Sequence, residues 1–438
     1  MTLPQSICSL IRRLEDSGYA AYAVGGCVRD AYLGQQPQDY DLCTAAVPEE
    51  ICRIFQDHSL VLAGIRHGTV GVVTEDGVVE ITTFRTEGDY ADNRHPGWVA
   101  FVENVEADLA RRDFTINAMA YSPSRGLADP FGGRADLDRR LLRAVGEAPV
   151  RFREDALRIL RGVRFAVRFH LTVEPQTAEA MADLRGLMTH LAKERIWEEL
   201  RKLLPLVRAE DLLRFQPVLS AVIPELSPMV NFSQHSPHHA YDLFTHTAQV
   251  TQAVPPDLVL RWAALLHDVG KVSTFVLDDQ GQGHFPNHAQ VGAQMAEAIL
   301  LRLKAPTALR QQVVELIRRH ASPIPTDKRL LRRWLARLGP ERLEQLLILQ
   351  EADSRGTGVP KSLQSFAEIR EILAQIQAED CCLSLKSLAV NGRDLLALGY
   401  EGRKIGTQLQ WLFQQVLDEQ LPNDRQALLD ACQKGRSV

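Results

Sequence analysis

The spacing of apolar residues along the first 85 residues predicts short helices and strands in alternation. An amphipathic helix is predicted over residues 4–18, where four apolar residues recur at helical spacing: Ile7, Leu10, Ile11 and Leu14. Short apolar runs predict strands at three places: 19–24, 68–73 and 77–84. Two further helices are predicted at 28–33 and 48–55. The Thr-Glu-Asp-Gly segment at 74–77 predicts a hairpin turn between the last two strands.

The rest of the chain has mostly helical patterns. Helices are predicted at five places: 116–120, 153–169, 177–191, 193–204 and 259–267. The polar segment 85–96 has no periodicity and predicts a mobile loop between strands. The DPFGG segment at 129–133 predicts a turn that closes the first domain. Residues 366–438 are predicted to be helical, with glycine turns at three places: 391–392, 399 and 402–406.

Composition places the chain among folded, reduced, cytoplasmic proteins. A length of 438 residues suggests about three domains. There is no signal-peptide pattern and no apolar run of the roughly 18 residues that a membrane helix needs. The seven cysteines form no CxxC pair, so reduced thiols are expected. The net charge of −5 neither favours nor excludes a nucleic-acid partner, and nothing implies a protein partner.

Two aspartates, Asp39 and Asp41, follow the glycine pair at 25–26. Alternate side chains of an extended strand share a face, so the two carboxylates can hold the same divalent metal ions. Adjacent glycines let the backbone approach a phosphate, and the N-terminus of the next helix, with Arg29 in its first turn, favours negative charge. Taken alone, these residues fit a metal and nucleotide site or a surface turn with solvated aspartates.

Further charged residues can complete such a site. Glu80 stands between two β-branched residues of a predicted strand, either facing solvent or serving as a third metal carboxylate. Arg111 and Arg112 precede the helix predicted at 116–120, and guanidinium groups suit bidentate phosphate contacts. An exposed helix start is the alternative interpretation of that pair.

Residues 139–168 contain nine arginines and three acidic residues in an acidic protein. On the helix predicted at 153–169, one side is apolar, and Arg158, Arg161 and Arg168 lie opposite, flanked by Asp155 and Arg164. A solvated face would explain this pattern, but nine arginines without a lysine suggest specific planar contacts.

A carboxylate and a guanidinium one helical turn apart, Asp155 and Arg158, can distinguish nucleobases. Cytosine and adenine each present an amino donor beside a ring-nitrogen acceptor, whereas uracil and guanine present an acceptor beside a donor. A carboxylate accepts and a guanidinium donates, so this pair would accept C and A and refuse U and G. The protein itself would then act as the template.

Five blocks in this order, GGCVRD, DYD, RRDFT, DPFGG and EDALRILR, resemble the bacterial class II tRNA nucleotidyltransferases, the CCA-adding enzymes. The resemblance covers roughly the first half of the chain. It implies two Mg²⁺ ions held by Asp39 and Asp41, with Glu80 as third carboxylate. It implies that the triphosphate and ribose are held by Gly26, Arg29 and Arg112. It also implies base selection by Asp155 and Arg158, supported by Arg161 and Arg164, and a flexible loop at 85–96 typical of enzymes that add the full CCA.

The second half carries six residues in an order that resembles the HD phosphohydrolase superfamily: His246, His267, Asp268, His288, His320 and Asp353. Imidazoles with a bridging carboxylate suit Mn²⁺, Ni²⁺ or Co²⁺, and two such ions can activate water against a phosphoester. For any one of these histidines taken alone, a core or surface role is the commoner one.

The resemblance implies an α+β fold, in which a polymerase-β-type head with a small mixed sheet is followed by an all-α neck, HD body and tail. The expected boundaries are 1–145 for the head, 146–208 for the neck, 209–365 for the HD domain and 366–438 for a tail that contacts tRNA. The expected function is addition of CCA to the tRNA 3′ end from CTP and ATP. The alternatives are A-only or CC-only addition, a poly(A) polymerase, or an HD phosphohydrolase with an RNA-binding head.

Overall fold

A computed structural model describes residues 2–88, 99–237, 240–359, 363–379 and 382–434. The chain divides into two compact units, Met1–Val207 with Asp211–Ser227, and Arg208–Glu210 with Pro228–Val438. The expected mixed α+β class is confirmed, with strands concentrated in the first unit and helices dominating the second. The four domain boundaries expected from the sequence stay a prediction.

A mixed seven-stranded sheet organises the first unit, in the order β3-β4-β5-β2-β1-β8-β9. Its strands are β1 Ala21–Val24, β2 Asp41–Thr44, β3 Leu60–Val61, β4 Thr69–Thr74, β5 Gly77–Thr83, β8 Ala120–Ser122 and β9 Gly126–Ala128. Only β2 and β5 are parallel neighbours; the other pairs are antiparallel. Three two-stranded pairs complete the strands: β6 Arg85–Glu87 with β7 Val99–Phe101, β10 Leu141–Leu142 with β11 Thr172–Val173, and β12 Val276–Leu277 with β13 Gly283–His284.

Eleven helices are described before residue 223 and eleven after residue 242. The first set is α1 Gln5–Asp16, α2 Gly26–Tyr32, α3 Pro48–Ile54, α4 Val105–Ala110, α5 Gly133–Asp138, α6 Ala148–Glu154, α7 Leu157–Phe169, α8 Pro175–Leu184, α9 Lys193–Leu203, α10 Ala209–Arg214 and α11 Gln216–Val222. The second set is α12 Leu243–Ala253, α13 Leu258–Leu266, α14 Lys271–Thr274, α15 His288–Arg302, α16 Thr307–Arg319, α17 Lys328–Leu338, α18 Pro340–Gly356, α19 Gln364–Ala378, α20 Gly392–Ala397, α21 Arg403–Leu417 and α22 Arg425–Lys434. Among the described helices, none is both long and apolar enough to cross a membrane.

The apolar face predicted for the first helix is buried in the structure. The four apolar residues predicted to face inward on α1 are all buried. Burying a large aliphatic side chain contributes roughly 1.5–3 kcal/mol, so this face is enough to hold a short helix against the sheet. The predicted helices at 28–33 and 48–55 and the hairpin of β4 and β5 are likewise confirmed, with ends shifted by one or two residues.

The prediction of a helix at 116–120 is wrong. Thr115–Asn117 form one turn of 3₁₀ helix, and Ala120 then pairs with Val24 in the sheet. The apolar run was too short to distinguish the two periods, and pairing with β1 decides the outcome.

The single helix predicted at 153–169 is also wrong in one respect. It is interrupted at Asp155, whose backbone is extended (φ −143°, ψ 102°) between α6 and α7. The Asp155 carboxylate accepts a hydrogen bond from the backbone N–H of Leu157 at 3.0 Å. Short polar side chains compete for backbone groups in this way and favour helix starts over helix interiors.

Three smaller differences concern turns and loops. Arg85–Glu87, expected in the loop at 85–96, form a strand, and residues 89–96 of that predicted loop lie outside the described residues. Arg403–Leu417 form a helix, so the glycine turn expected at 402–406 ends at Gly402. The helix predicted at 177–191 changes to 3₁₀ geometry over Arg185–His190.

Candidate active site

Strand register brings two carboxylates of the head together. Asp41, the first residue of β2, is the register partner of Glu80 on the parallel strand β5. Register partners point to the same face of a sheet, so these carboxylates lie side by side. Asp39 stands two residues before, and all three residues are exposed.

The three carboxylates repel one another. The pKa of Asp41 is raised because the surrounding protein limits its hydration and because Glu80 and Asp39 add like charge, while Arg112 opposes the shift. A divalent cation relieves such repulsion, and carboxylate oxygens are ligands that Mg²⁺ prefers. The donor set therefore fits Mg²⁺, although in the described part of the chain ligand atoms of three residues converge to within 4.8 Å only around Asp268.

The glycine pair lets an arginine come close to the carboxylates. Gly25 has φ +76°, and a Cβ there would lie 2.9 Å from the guanidinium Nη1 of Arg112. Asp108, a buried residue of α4, forms ion pairs with Arg111 at 2.8 Å and with Arg112 at 3.3 Å. Although burial alone would raise the pKa of Asp108, the two guanidinium groups lower it. The arginine pair is thus held by one buried acid.

Arg29 is placed differently from the expectation of a free phosphate ligand. Its side chain is buried, forms an ion pair with Asp30 at 2.7 Å and donates to Asn117. The guanidinium also lies over the rings of Phe165 and Phe169, 5.3 and 4.5 Å from their centroids. Burial lowers the pKa of Arg29, and Asp30 offsets part of that effect. Arg29 therefore connects α2 to the helix that carries the arginines.

The arginine face of α7 is largely packed rather than solvated. Arg158 and Arg164 are buried, and Arg161 is half-buried. Arg161 lies 2.7 Å from Asp113, and Arg164 donates to Glu199 on α9 at 2.5 Å. Each guanidinium thus has a specific acid partner, as expected for planar contacts.

Asp113 connects the head to this helix. Burial would raise the pKa of Asp113, but Arg161 and a hydrogen bond from Asn117 lower it to about 2. Because Asn117 also accepts from Arg29, a continuous set of polar contacts runs from α2 through Asp113 to α7.

Asp155 and Arg158 have partners other than each other. Arg195 of α9 lies 2.7 Å from Asp155, and Arg158 lies 2.7 Å from Glu154. Arg158 also donates to the backbone carbonyl of Arg111 at 2.9 Å. Sequence reasoning missed four polar residues of this region: Asp113, Asn117, Arg195 and Glu199. Asp113 lies inside the RRDFT block, whereas only the four-residue spacing of Arg195 and Glu199 could have indicated the other two.

One cavity of about 450 Å³ joins these groups. Eight of the residues proposed from the sequence line it: Gly26, Arg29, Asp41, Arg112, Asp155, Arg158, Arg161 and Arg164. Its volume is within the range of roughly 300–1,000 Å³ that suits small-molecule sites. Asp39 and Glu80 are not among its lining residues.

The second unit brings together the six residues of the predicted HD site. His246, His267 and Asp268 form one group of candidate ligands, and Asp268, His288 and His320 form another. Asp353 approaches His246 to 3.1 Å. Asp268 is common to both groups, so its two oxygens can bridge two metal positions.

Electrostatics in this cluster are dominated by its carboxylates. Burial would lower the pKa of His267, but Asp268 and Asp353 raise it to about 10. Burial would raise the pKa of Asp268, but His267 and Lys271 lower it well below its ordinary value. Lys271 lies 2.7 Å from Asp268 and accordingly neutralises part of the carboxylate charge.

Three family models match the chain: a poly A polymerase head domain at residues 21–143, a probable RNA and SrmB-binding site of polymerase A at 170–229, and an HD domain at 238–356. These three segments contain the carboxylate site, helix α9 and the histidine cluster, respectively.

Relatives of known name match nearly the full length. The CCA-adding enzyme of Levilactobacillus brevis is 34% identical over 423 residues, covering 96% of both chains. That of Bacillus subtilis is 32% identical over 418 residues, covering 95% of this chain and 94% of the relative. A solved structure of the Bacillus stearothermophilus CCA-adding enzyme in complex with CTP has a TM-score of 0.72 and 28% identity, and covers 100% of this chain and 99% of that one. The chain therefore belongs to the family of CCA-adding enzymes, the tRNA nucleotidyltransferases.

Proposed function

We infer that this protein adds C, C and A to the 3′ end of tRNA from CTP and ATP, without a nucleic-acid template. The observation that carries this conclusion is the single cavity lined by both Asp41 and the arginine helix α7. Such a cavity can hold a triphosphate near the metal carboxylates while its base contacts α7. The named relatives are CCA-adding enzymes, and one solved neighbour was determined with CTP.

Asp39, Asp41 and Glu80 would hold the metal ions. When bound, Mg²⁺ would lower the pKa of the attacking 3′-hydroxyl and neutralise charge on the departing pyrophosphate. Arg112, held beside the glycine pair by Asp108, would bind the triphosphate. Placing charge at in-line oxygens is most of the catalytic work in phosphoryl-type transfer.

Asp155 and Arg158 would select the base. The Asp155 carboxylate accepts from the amino group of cytosine or adenine, and Arg158 donates to the adjacent ring nitrogen. Arg158 donates to Glu154, so its guanidinium must turn toward an entering base. Arg161 and Arg164, fixed by Asp113 and Glu199, would support this helix rather than contact the base.

Three tRNA substrates test this function: one ending before the first C, one ending after CC and one ending after CCA. With CTP alone, we expect two additions to the first tRNA and none to the others. With ATP alone, we expect one addition to the tRNA ending in CC. Gel analysis of the 3′ ends distinguishes the alternatives, because a CC-adding enzyme would leave that tRNA unchanged and a poly(A) polymerase would continue past one A.

We propose a second function for the other unit, which is metal-dependent hydrolysis of phosphoesters at the histidine cluster. The specific observation is the pair of ligand groups that share Asp268. Imidazole with carboxylate suits Mn²⁺, Ni²⁺ or Co²⁺. The histidines with Asp268 and Asp353 would hold the ions, which when bound would supply an activated water and neutralise charge on the leaving oxygen.

Metal binding is testable without an activity assay. At a metal concentration one hundred times Kd, binding stabilises the folded unit by about 2.7 kcal/mol, and the expected rise in Tm is roughly 5–10 °C. The variant His267→Ala should lose this rise with Mn²⁺, Ni²⁺ and Co²⁺, whereas His284→Ala, which changes an exposed histidine outside the cluster, should keep it. Equal rises in both variants would contradict the site.

The rival function, an HD phosphohydrolase with an RNA-binding head, predicts different ligand binding by the first unit. In that case the head would bind RNA alone, and neither CTP nor Mg²⁺ would bind to the first unit. Titration of the full chain with CTP, with and without Mg²⁺, therefore separates this rival from the nucleotidyltransferase.

A further inference from the structure

Helix α9 reaches the base-reading region through two charged side chains four residues apart. Glu199 receives Arg164 of α7 at 2.5 Å. Arg195 donates through Nη2 to Asp155 Oδ2 at 2.7 Å and through Nη1 to Oδ1 at 3.3 Å. Residues i and i+4 lie on one helix face, so α9 presents both groups to the same neighbour.

Asp155 needs an external support for its orientation. It lies in the extended link between α6 and α7, outside both helices. Apart from the contacts with Arg195, the described hydrogen bond to this carboxylate comes from the Leu157 N–H, which donates to Oδ1 at 3.0 Å. Oδ2 is therefore oriented by Arg195. Guanidinium and carboxylate planes match in a fork, so this contact fixes the rotation of the carboxylate as well as its position.

Both side chains retain access to the cavity. The Asp155 side chain is 18% exposed and that of Arg195 is 26% exposed, and both residues line the cavity. A carboxylate offers about four lone-pair positions, and the contacts with Arg195 and Leu157 use three of them. The remaining position can accept from the amino group of an entering base.

We propose that Arg195 is a positioning residue for base selection, which rests on the proposed role of Asp155. With its rotation fixed, the carboxylate meets an amino group of C or A as an acceptor. The carbonyl oxygen of U or G at the same place is repelled by the Asp155 carboxylate, because both are acceptors and the carboxylate cannot rotate. Without Arg195 the carboxylate keeps only the Leu157 N–H at Oδ1 and can turn about that contact, so the repulsion against U and G is relieved. Arg195 thus contributes to discrimination without contacting the base.

The test compares Arg195→Ala with two reference variants. The control is Arg201→Ala, since Arg201 lies on the same helix and pairs only with the exposed Glu198 in the contacts described. For Arg195→Ala, we expect the ratio of kcat/KM for CTP over UTP, and for ATP over GTP, to fall roughly tenfold or more, as loss of a charged hydrogen bond implies. Arg195→Lys should restore part of the ratio, and Arg201→Ala should not change it.

A structural role alone would produce a different result. An equal loss of kcat/KM for all four nucleotides, or an unchanged ratio in a variant with wild-type Tm, would overturn the inference. In the double variant Asp155→Asn with Arg195→Ala, we expect no further loss beyond Asp155→Asn, because both act through one carboxylate. Additive losses would also overturn it.

The same experiment separates this inference from the function on which it rests. If Asp155→Asn and Arg158→Ala change selectivity while Arg195→Ala does not, only the role of Arg195 fails. If none of the three changes selectivity, base reading by Asp155 and Arg158 fails as well.

Discussion

Asp41→Ala is expected to lower kcat for CMP addition by at least about a thousandfold, since removal of even one preorganised charge-stabilising group costs 10²–10³. Asp41 shares its sheet face with Glu80, so the variant removes the central member of the metal carboxylates. Binding of tRNA should remain, because it depends on phosphate contacts made elsewhere. Single-turnover addition and a filter-binding Kd, measured on one preparation, check both expectations.

The fold should tolerate this change. The raised pKa of Asp41 shows that its charge is disfavoured in the folded state, so its removal relieves repulsion at neutral pH. The matched control is Asp76→Ala, which removes an exposed aspartate from the turn between β4 and β5. Retained addition in the double variant Asp39→Ala with Asp41→Ala would refute the assignment of this site.

Arg158→Ala is expected to relax the choice among nucleotides by roughly ten- to a hundredfold, the range for loss of a good base-reading contact. Triphosphate binding should weaken much less, because we assign it to Arg112 and the glycine pair rather than to Arg158. Misincorporation of UTP and GTP into a tRNA ending before the first C, relative to CTP, measures the effect.

Two further measurements keep this expectation interpretable. Arg158 is buried and holds Glu154, so Arg158→Ala should also lower Tm. Arg158→Lys keeps a charge for Glu154 but loses the planar fork, and it should relax selectivity with a smaller loss of Tm. Arg153→Ala, at an exposed position of α6, is the control. Unchanged selectivity in both Arg158 variants would exclude the protein as template.

Several local elements of the head could be predicted from sequence because they depend on short-range rules. The hairpin pattern located the strand of Glu80. The prediction that Asp39 and Asp41 share one strand face stays a prediction, since β2 begins at Asp41. The register between β2 and β5 followed from no local pattern, since parallel neighbours are distant in the chain. It is nevertheless what places Asp41 beside Glu80.

The surroundings of the arginine helix could not be predicted in the same way. A helical wheel shows which residues share a face but not which element packs against it. The partners of Arg161 and Arg164 come from the segment between α4 and β8 and from α9, and both contacts depend on tertiary packing. The break at Asp155 was hidden because its flanking residues are good helix formers. The histidine cluster was found from the order of its residues, yet the sharing of Asp268 became visible only in three dimensions.

The nucleotidyltransferase cavity and the histidine cluster belong to different units, which affects how each can change in evolution. Every residue that lines the nucleotide cavity lies before position 208, and every member of the histidine cluster lies after position 245. A mutation in one set therefore removes no cavity-lining residue or candidate metal ligand of the other set. Natural selection can therefore discard, retain or repurpose the histidine cluster while tRNA maturation continues under its own constraint.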